Sequence, residues 1–378
     1  MKILADENIP QAKEAFSKFG KVMLLHGREI TNGQLTDKDA LIVRSITNVN
    51  EKLLNNTPVK FVGTATIGTD HVDTDFLKSR GIYFADAAGC NSFSVAEYVI
   101  TAVANIFFHS GKTFAGKRIG IVGYGNIGTK VARFAKALGF EPVINDPPLQ
   151  RKLVNENFCP LEETLNCDVV TFHVPLNKTG IDKTYHLLNA GNINQIKSGS
   201  LLINTSRGPV VDNAALKKRL LANRDIKVVL DVWENEPNID LELLKLADIG
   251  TAHIAGYSLE GKLNGTFYIY KALCKFLKID PDWTPDYQSI RGKILELNSS
   301  NNIEEILSEA FSRIYDIDND SSQLKRLLNE RQINPDKYFD MLRKNYYIRR
   351  EFNNYSIKLK VRDPNLNKIM NELRFKVI

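Results

Sequence analysis

Three segments of the 378-residue chain hold side chains that could move a proton and grip an anion. In NTSRGPVVD, residues 204–212, Arg207 follows the apolar run LLIN. In DVWENEP, residues 231–237, Asp231, Glu234 and Glu236 follow KVVL. In TAHIAGYS, residues 251–258, His253 stands among small residues. An imidazole titrates near neutrality and can serve as a base, a carboxylate beside it orients the ring and stabilises its cation, and a guanidinium fork can hold a carboxylate with two hydrogen bonds. Singly, each segment reads equally as structure: a satisfied ring at a strand end, a solvated acidic run, an arginine that caps a helix. Their shared placement just beyond β-branched runs joins them, because the carboxyl ends of strands in an open parallel sheet face one crevice.

A fourth segment supplies a partner for such chemistry. Gly123-Tyr-Gly125-Asn126-Ile127-Gly128 follows the strand-like RIGIV and opens a helix through VARFAKALG. Gly123 allows a tight turn, Gly125 lets a pyrophosphate approach the backbone, and the helix N-terminus favours the negative charge. Asp146 ends the next strand, VIND, 18 positions past Gly128. A carboxylate there bonds the ribose hydroxyls of NAD and repels a 2′-phosphate, so NAD is the expected cofactor, with Arg151 and Lys152 near enough to leave NADP open.

The elements that must position these residues alternate between strand-like runs and helix-length segments: KILA, ALIVRS and KFVGTA, then RIGIVG, EPVIND, DVVTFHV, SLLINTS and KVVLDVW. That alternation predicts an α/β fold with two Rossmann-like, doubly wound parallel-sheet domains. A discontinuous substrate-binding domain is expected over 1–93 plus 257–285, since the helical run Leu259–Leu277 has no strand of its own to follow. The NAD-binding domain is expected over 94–256. IDPDWTPDYQS reads as a linker, and a small C-terminal α+β domain over 288–378 closes the chain. There, NIEEILSEAFSRIYDIDND and PDKYFDMLRKNYYIRREF read as helices and YSIKLKV as an edge strand. In the first domain Arg44, at the end of ALIV, precedes Ser45, and threonines stand at 64, 66 and 69. Strand-end hydroxyls with one arginine make a cradle for phosphate.

Composition sets bounds. The net charge of +6 is modest, and 17 Lys and Arg against 13 Asp and Glu follow residue 288; with no recognition motif, no nucleic-acid partner is expected. The basic cluster Arg343, Lys344, Arg349 and Arg350 reads as a solvated face or a dimer contact ahead of a basic arm reaching a partner's active site. Four cysteines without paired spacing argue against a metal site or a disulfide framework and fit a cytoplasmic protein. VAEYVITAVANIFF contains Glu97 and is short for a span, so it reads as a buried helix and no membrane partner is expected. The last ninety residues carry more apolar side chains than so small a unit buries alone, which predicts a homodimer through that domain.

Jointly these motifs resemble the D-isomer-specific 2-hydroxyacid dehydrogenases over residues 1 to about 285. The resemblance implies that His253 accepts the hydroxyl proton as hydride leaves for the nicotinamide, that Glu236 bonds the other ring nitrogen, and that Arg207 binds the substrate carboxylate. A closer likeness runs nearly end to end, through MKILADENIP, FVGTATIGTDHVD, GCNSFSVAEYV, LDVWENEP and LRKNYYIRREF, to a branch acting on a small phosphorylated hydroxy acid. It implies substrate contacts at Ser45, Thr66 and Tyr257. It also implies that Asp146, Val174, Ser206, Asp231 and Gly256 line the cofactor; Val174 stands where a threonine is expected, so only a backbone contact is available there. The C-terminal domain would be the dimerisation domain. Two alternatives stand beside this reading: another phosphorylated substrate such as 3-phosphoglycerate, or an NADH-sensing scaffold without turnover.

Overall fold

The structure, a computed structural model, describes residues 1–378 apart from 154–156, 288–292, 298–302, 331 and 361–362. It falls into two compact units, residues 1–91 with 258–291 and residues 92–257 with 292–378. The expected start of the C-terminal domain at residue 288 lies outside the described residues.

In the first unit, β1 (Lys2–Asp6), β2 (Lys21–Leu25), β3 (Ala40–Val43), β4 (Phe61–Thr64) and β5 (Tyr83–Asp86) form a sheet of order β2-β1-β3-β4-β5, parallel throughout. The helix Leu259–Leu277 buries Ile269, Tyr270 and Leu273 in this unit's core. Gly63 makes that close approach possible, since a Cβ there would meet Ile269 Cγ2 at 2.5 Å.

In the second unit, β6 (Arg118–Val122), β7 (Glu141–Asn145), β8 (Val169–Phe172), β9 (Leu201–Asn204), β10 (Lys227–Leu230) and β11 (Ile249–Gly250) follow the order β11-β10-β9-β8-β6-β7. All pairs are parallel, and the strand order reverses at β6, where an α/β sheet opens a crevice for ligands. The register lines up the strand ends: Asn145, Val122, Phe172, Asn204, Leu230 and Gly250 form one row. The residues that follow that row leave the sheet together. They include Gly123, Asp146, Val174, Arg207, Asp231 and His253.

The apolar run becomes the helix Ser92–His109. Its 18 residues have the length and mean hydropathy, 1.2, of a membrane span, but 78% are buried inside the protein. Its one carboxylate, Glu97, is matched there: Oε1 accepts from the Phe352 N–H at 3.1 Å and pairs with Arg374 at 3.2 Å, and Arg374 also reaches Glu351 at 3.0 Å. Burial, followed by the nearby Glu351, raises the Glu97 carboxyl well above its ordinary range.

A third, parallel sheet, β12 (Ile294–Leu297), β13 (Ser356–Leu359) and β14 (Lys376–Val377), has the order β12-β13-β14. The segment read as an edge strand is thus the central one: its alternation records one packed and one open face and says nothing about which strands pair along its edges. The run PDKYFDMLRKNYYIRREF is helical only over Pro335–Lys344. Leu295, Leu297, Leu307, Phe311, Phe352, Ile357 and Met370 share one core with Tyr98, Val99, Ile119, Val131 and Phe134. This packing accounts within a single chain for apolar side chains that were expected to need a partner.

Candidate active site

The glycine turn has the geometry that a dinucleotide loop requires. Gly123 sits at φ +94° and a Cβ there would meet the His173 carbonyl at 2.6 Å, while one on Gly128 would meet the Gly123 carbonyl at 2.0 Å. Both glycines are therefore needed to close the turn and seat the helix Gly128–Ala137. A Cβ on Gly125 would meet nothing within 4 Å, so that backbone borders open space where a pyrophosphate fits. Asn126 is exposed, and its carbonyl accepts from Lys130 Nζ at 2.8 Å, while Ile127 packs on the core beside Tyr124. Asp146 is half-buried and held by two backbone donors, Tyr124 N–H at 2.8 Å on Oδ2 and Leu149 N–H at 2.9 Å on Oδ1, each oxygen keeping a lone pair for a ribose hydroxyl. Arg151 is committed to Asp182 at 2.5 Å. Val174, half-buried, packs against the second core.

Arg207 leaves the end of β9 half-buried. Ser206 Oγ donates to Asn204 Oδ1 at 2.8 Å, Asn204 Nδ2 donates to the Arg207 carbonyl at 3.0 Å, and Arg207 Nη1 donates to the Ser206 carbonyl at 2.8 Å. Gly208 follows because a Cβ there would strike the Trp233 carbonyl at 1.9 Å.

His253 Nδ1 lies 2.7 Å from Glu236 Oε2, and Glu236 Oε1 accepts from the Trp233 N–H at 2.8 Å. Burial favours the neutral Glu236 carboxyl, but the charge and hydrogen bond of His253, the Trp233 N–H and the charge of Arg343 outweigh it and hold its pKa below the usual value. The carboxylate fixes the proton on Nδ1 and turns Nε2 outward as the proton acceptor. Its backbone φ of +56° is unusual for a non-glycine residue, a conformation that persists only where the surroundings enforce it. Asp231 does the enforcing. Its backbone carbonyl accepts from the His253 N–H at 2.8 Å, and its buried carboxylate accepts from Thr251 Oγ1 at 2.6 Å and from the Ile254 and Ala255 N–H groups at 2.7 and 2.9 Å. Tyr98 hydroxyl extends this chain to Thr251 at 2.7 Å.

His173 offers no rival base, since desolvation pushes its ring down to about 3. Glu234 pairs instead with His186 Nε2 at 2.6 Å, and the donor atoms of His186, Asp212 and Glu234 lie within 4.8 Å of one another. Asp212 also caps the helix Asn213–Ala222, so the three read as a cluster that ties that helix start to the segment after β10.

The basic cluster departs from its sequence reading. Arg349 and Arg350 are 4% and 5% exposed within their own chain. Arg349 Nη2 donates to the Ala255 carbonyl at 2.5 Å and to the Ser94 carbonyl at 3.2 Å, so it braces the loop that carries His253, next to Gly256. Tyr346 meets the Tyr257 ring edge-on, with centroids 5.8 Å apart. The sequence marked Arg349 only as part of a basic cluster and gave Tyr346 no role of its own, because both act through contacts some ninety positions away. In the first unit, Arg44 is half-buried after β3 and pairs with no carboxylate among the described residues, Ser45 is exposed, and Thr66 Oγ1 lies 2.7 Å from Thr64 Oγ1 and donates to the Gly68 carbonyl at 3.2 Å.

Residues 101–255 match the family model "D-isomer specific 2-hydroxyacid dehydrogenase, NAD binding domain", and residues 290–373 match a domain of unknown function, DUF3410. Erythronate-4-phosphate dehydrogenase of Proteus mirabilis is 40% identical over 385 residues, spanning 99% of this chain and 99% of its own. The protein of the same name from Hahella chejuensis is 43% identical over 365 residues, 95% of each chain. The chain belongs to the erythronate-4-phosphate dehydrogenase family. Among solved structures, D-lactate dehydrogenase of Aquifex aeolicus with NAD and lactic acid superposes with a TM-score of 0.61 at 25% identity, covering 74% of this chain and 96% of that one. NAD-bound 3-phosphoglycerate dehydrogenase of Entamoeba histolytica, at 23% identity, gives 0.63 over 75% and 99% and shares the fold.

This protein is thus an NAD-dependent dehydrogenase of the 2-hydroxyacid type, and the open backbone at Gly125 with the pinned Asp146 fits its cofactor. Replacing Asp146 with alanine is expected to lower the kcat/KM ratio for NAD over NADP by about tenfold, because a fixed negative charge no longer opposes the 2′-phosphate. Initial rates with both cofactors test this, and an unchanged ratio would assign the discrimination elsewhere.

Proposed function

We propose that this dehydrogenase oxidises 4-phospho-D-erythronate to (R)-3-hydroxy-2-oxo-4-phosphooxybutanoate with NAD, a step of vitamin B6 biosynthesis. The observation that carries the reading is the 2.7 Å contact of His253 Nδ1 with Glu236, which leaves Nε2 without a partner among the described residues. Bound NAD supplies the hydride acceptor. His253 Nε2 takes the C2 hydroxyl proton as the C2–H bond breaks, Glu236 stabilises the imidazolium that forms, and Arg207 holds the carboxylate and polarises the growing carbonyl. Ser206, Val174 and Gly256 line the cofactor, while Asp231 serves chiefly to fix the base. An NADH-sensing scaffold would not need a strained, doubly supported histidine. The four free cysteines favour the cytoplasm. Exposed Met341, Tyr347 and Ile348 favour a homodimer through the C-terminal region.

Arg44, Ser45 and Thr66 are assigned to the phosphate, Tyr257 to the body of the substrate. Each charge-assisted hydrogen bond contributes about 1.5–3 kcal/mol, so kcat/KM for 4-phosphoerythronate should exceed that for erythronate by at least about tenfold. Arg44→Ala should shrink that ratio by weakening the phosphorylated substrate. Equal constants in the wild type would sink the substrate assignment, and 3-phosphoglycerate would be the next acid to test.

A further inference from the structure

Arg343 stands in the last turn of the helix Pro335–Lys344, where Tyr257, Glu236 and Asp340 together hold its guanidinium charged against burial. Its side chain is 23% exposed, and its closest ion-pair contact, Asp340, stands off at 4.0 Å. Its Nε is buried and has no hydrogen-bond partner. The guanidinium carbon lies 5.9 Å from the centre of the Tyr257 ring, which Tyr346 also meets edge-on. Glu236 does not need Arg343 as a partner, because its two oxygens are already engaged by His253 and the Trp233 N–H. A half-buried guanidinium with an idle donor is costly unless an anion completes it.

We propose that Arg343 is a substrate-binding residue, contributed by the C-terminal region, that recognises the phosphate of the hydroxy acid. The inference rests on the reading above that the substrate is phosphorylated. Of the two anionic ends such a substrate brings, the carboxylate is taken by Arg207. The phosphate carries the greater charge and suits the planar fork that Arg343 presents beside Tyr257.

The full-length protein carrying Arg343→Gln tests this. It should lose at least about tenfold in kcat/KM for 4-phosphoerythronate, mostly through KM, and several-fold more than it loses for erythronate, while NADH binds with unchanged affinity. Arg343→Lys should fall between, because it keeps the charge but not the fork. Inorganic phosphate should inhibit erythronate oxidation by the wild type competitively and inhibit both variants less. Should the glutamine variant fail to fold, the lysine variant and phosphate inhibition decide the matter. Equal losses for both substrates, or undiminished phosphate inhibition, would overturn the inference while leaving the substrate reading intact. A wild type without preference for the phosphorylated acid would overturn that reading and this inference with it.

Discussion

His253→Ala is expected to reduce turnover by about 10²–10⁴-fold while NADH still binds with its wild-type affinity. The range follows from removing one positioned proton acceptor, and the structure shows how closely this one is positioned. The 2.7 Å bond to Glu236 sets the tautomer, and the Asp231 carboxylate fixes the two residues after it through their N–H groups. The cofactor loop lies at a different strand end, after β6, so its geometry does not depend on the imidazole. Glu236→Gln should cost less, because the base survives and only its orientation and the stability of its cation are weakened. Steady-state kinetics with fluorescence titration of NADH separate the two effects. Unchanged turnover in His253→Ala would remove this residue from the chemistry, and parallel loss of NADH binding would show that it holds up the nucleotide fold.

Deleting residues 288–378 should abolish the folded nucleotide-binding unit altogether. Phe311, Phe352 and Met370 are almost wholly buried in a core shared with Tyr98, Val99 and Phe134. Each large apolar side chain returned to water costs about 1.5–3 kcal/mol, so a handful exceeds the total stability of about 5–15 kcal/mol of an ordinary domain. The truncation would also strip Glu97 of Arg374 and the Ala255 carbonyl of Arg349. Thermal melts and NADH titration of the truncated chain give the answer. A cooperative melt with wild-type NADH affinity would show that residues 92–257 hold their core without the C-terminal region.

The amino-acid sequence by itself determined the parallel α/β class, the turn at Gly123–Gly128 and the placement of Arg207, Glu236 and His253 at strand ends. Those features depend on local period and on glycine sterics, and a parallel sheet converts position after a strand into position at one crevice. The tertiary structure alone decided the roles of residues whose partners lie far along the chain. The hydrogen bonds by which the buried Asp231 carboxylate holds the loop of His253 were not visible in the sequence. Arg349 and Arg350 stood as part of a basic cluster on a solvated face or at a dimer contact and proved to be buried within their own chain. YSIKLKV stood as an edge strand and proved central. A charged side chain reads as solvent-exposed because burial without partners is costly, and only the folded chain brings the partners, such as the Ala255 carbonyl for Arg349, that offset the cost.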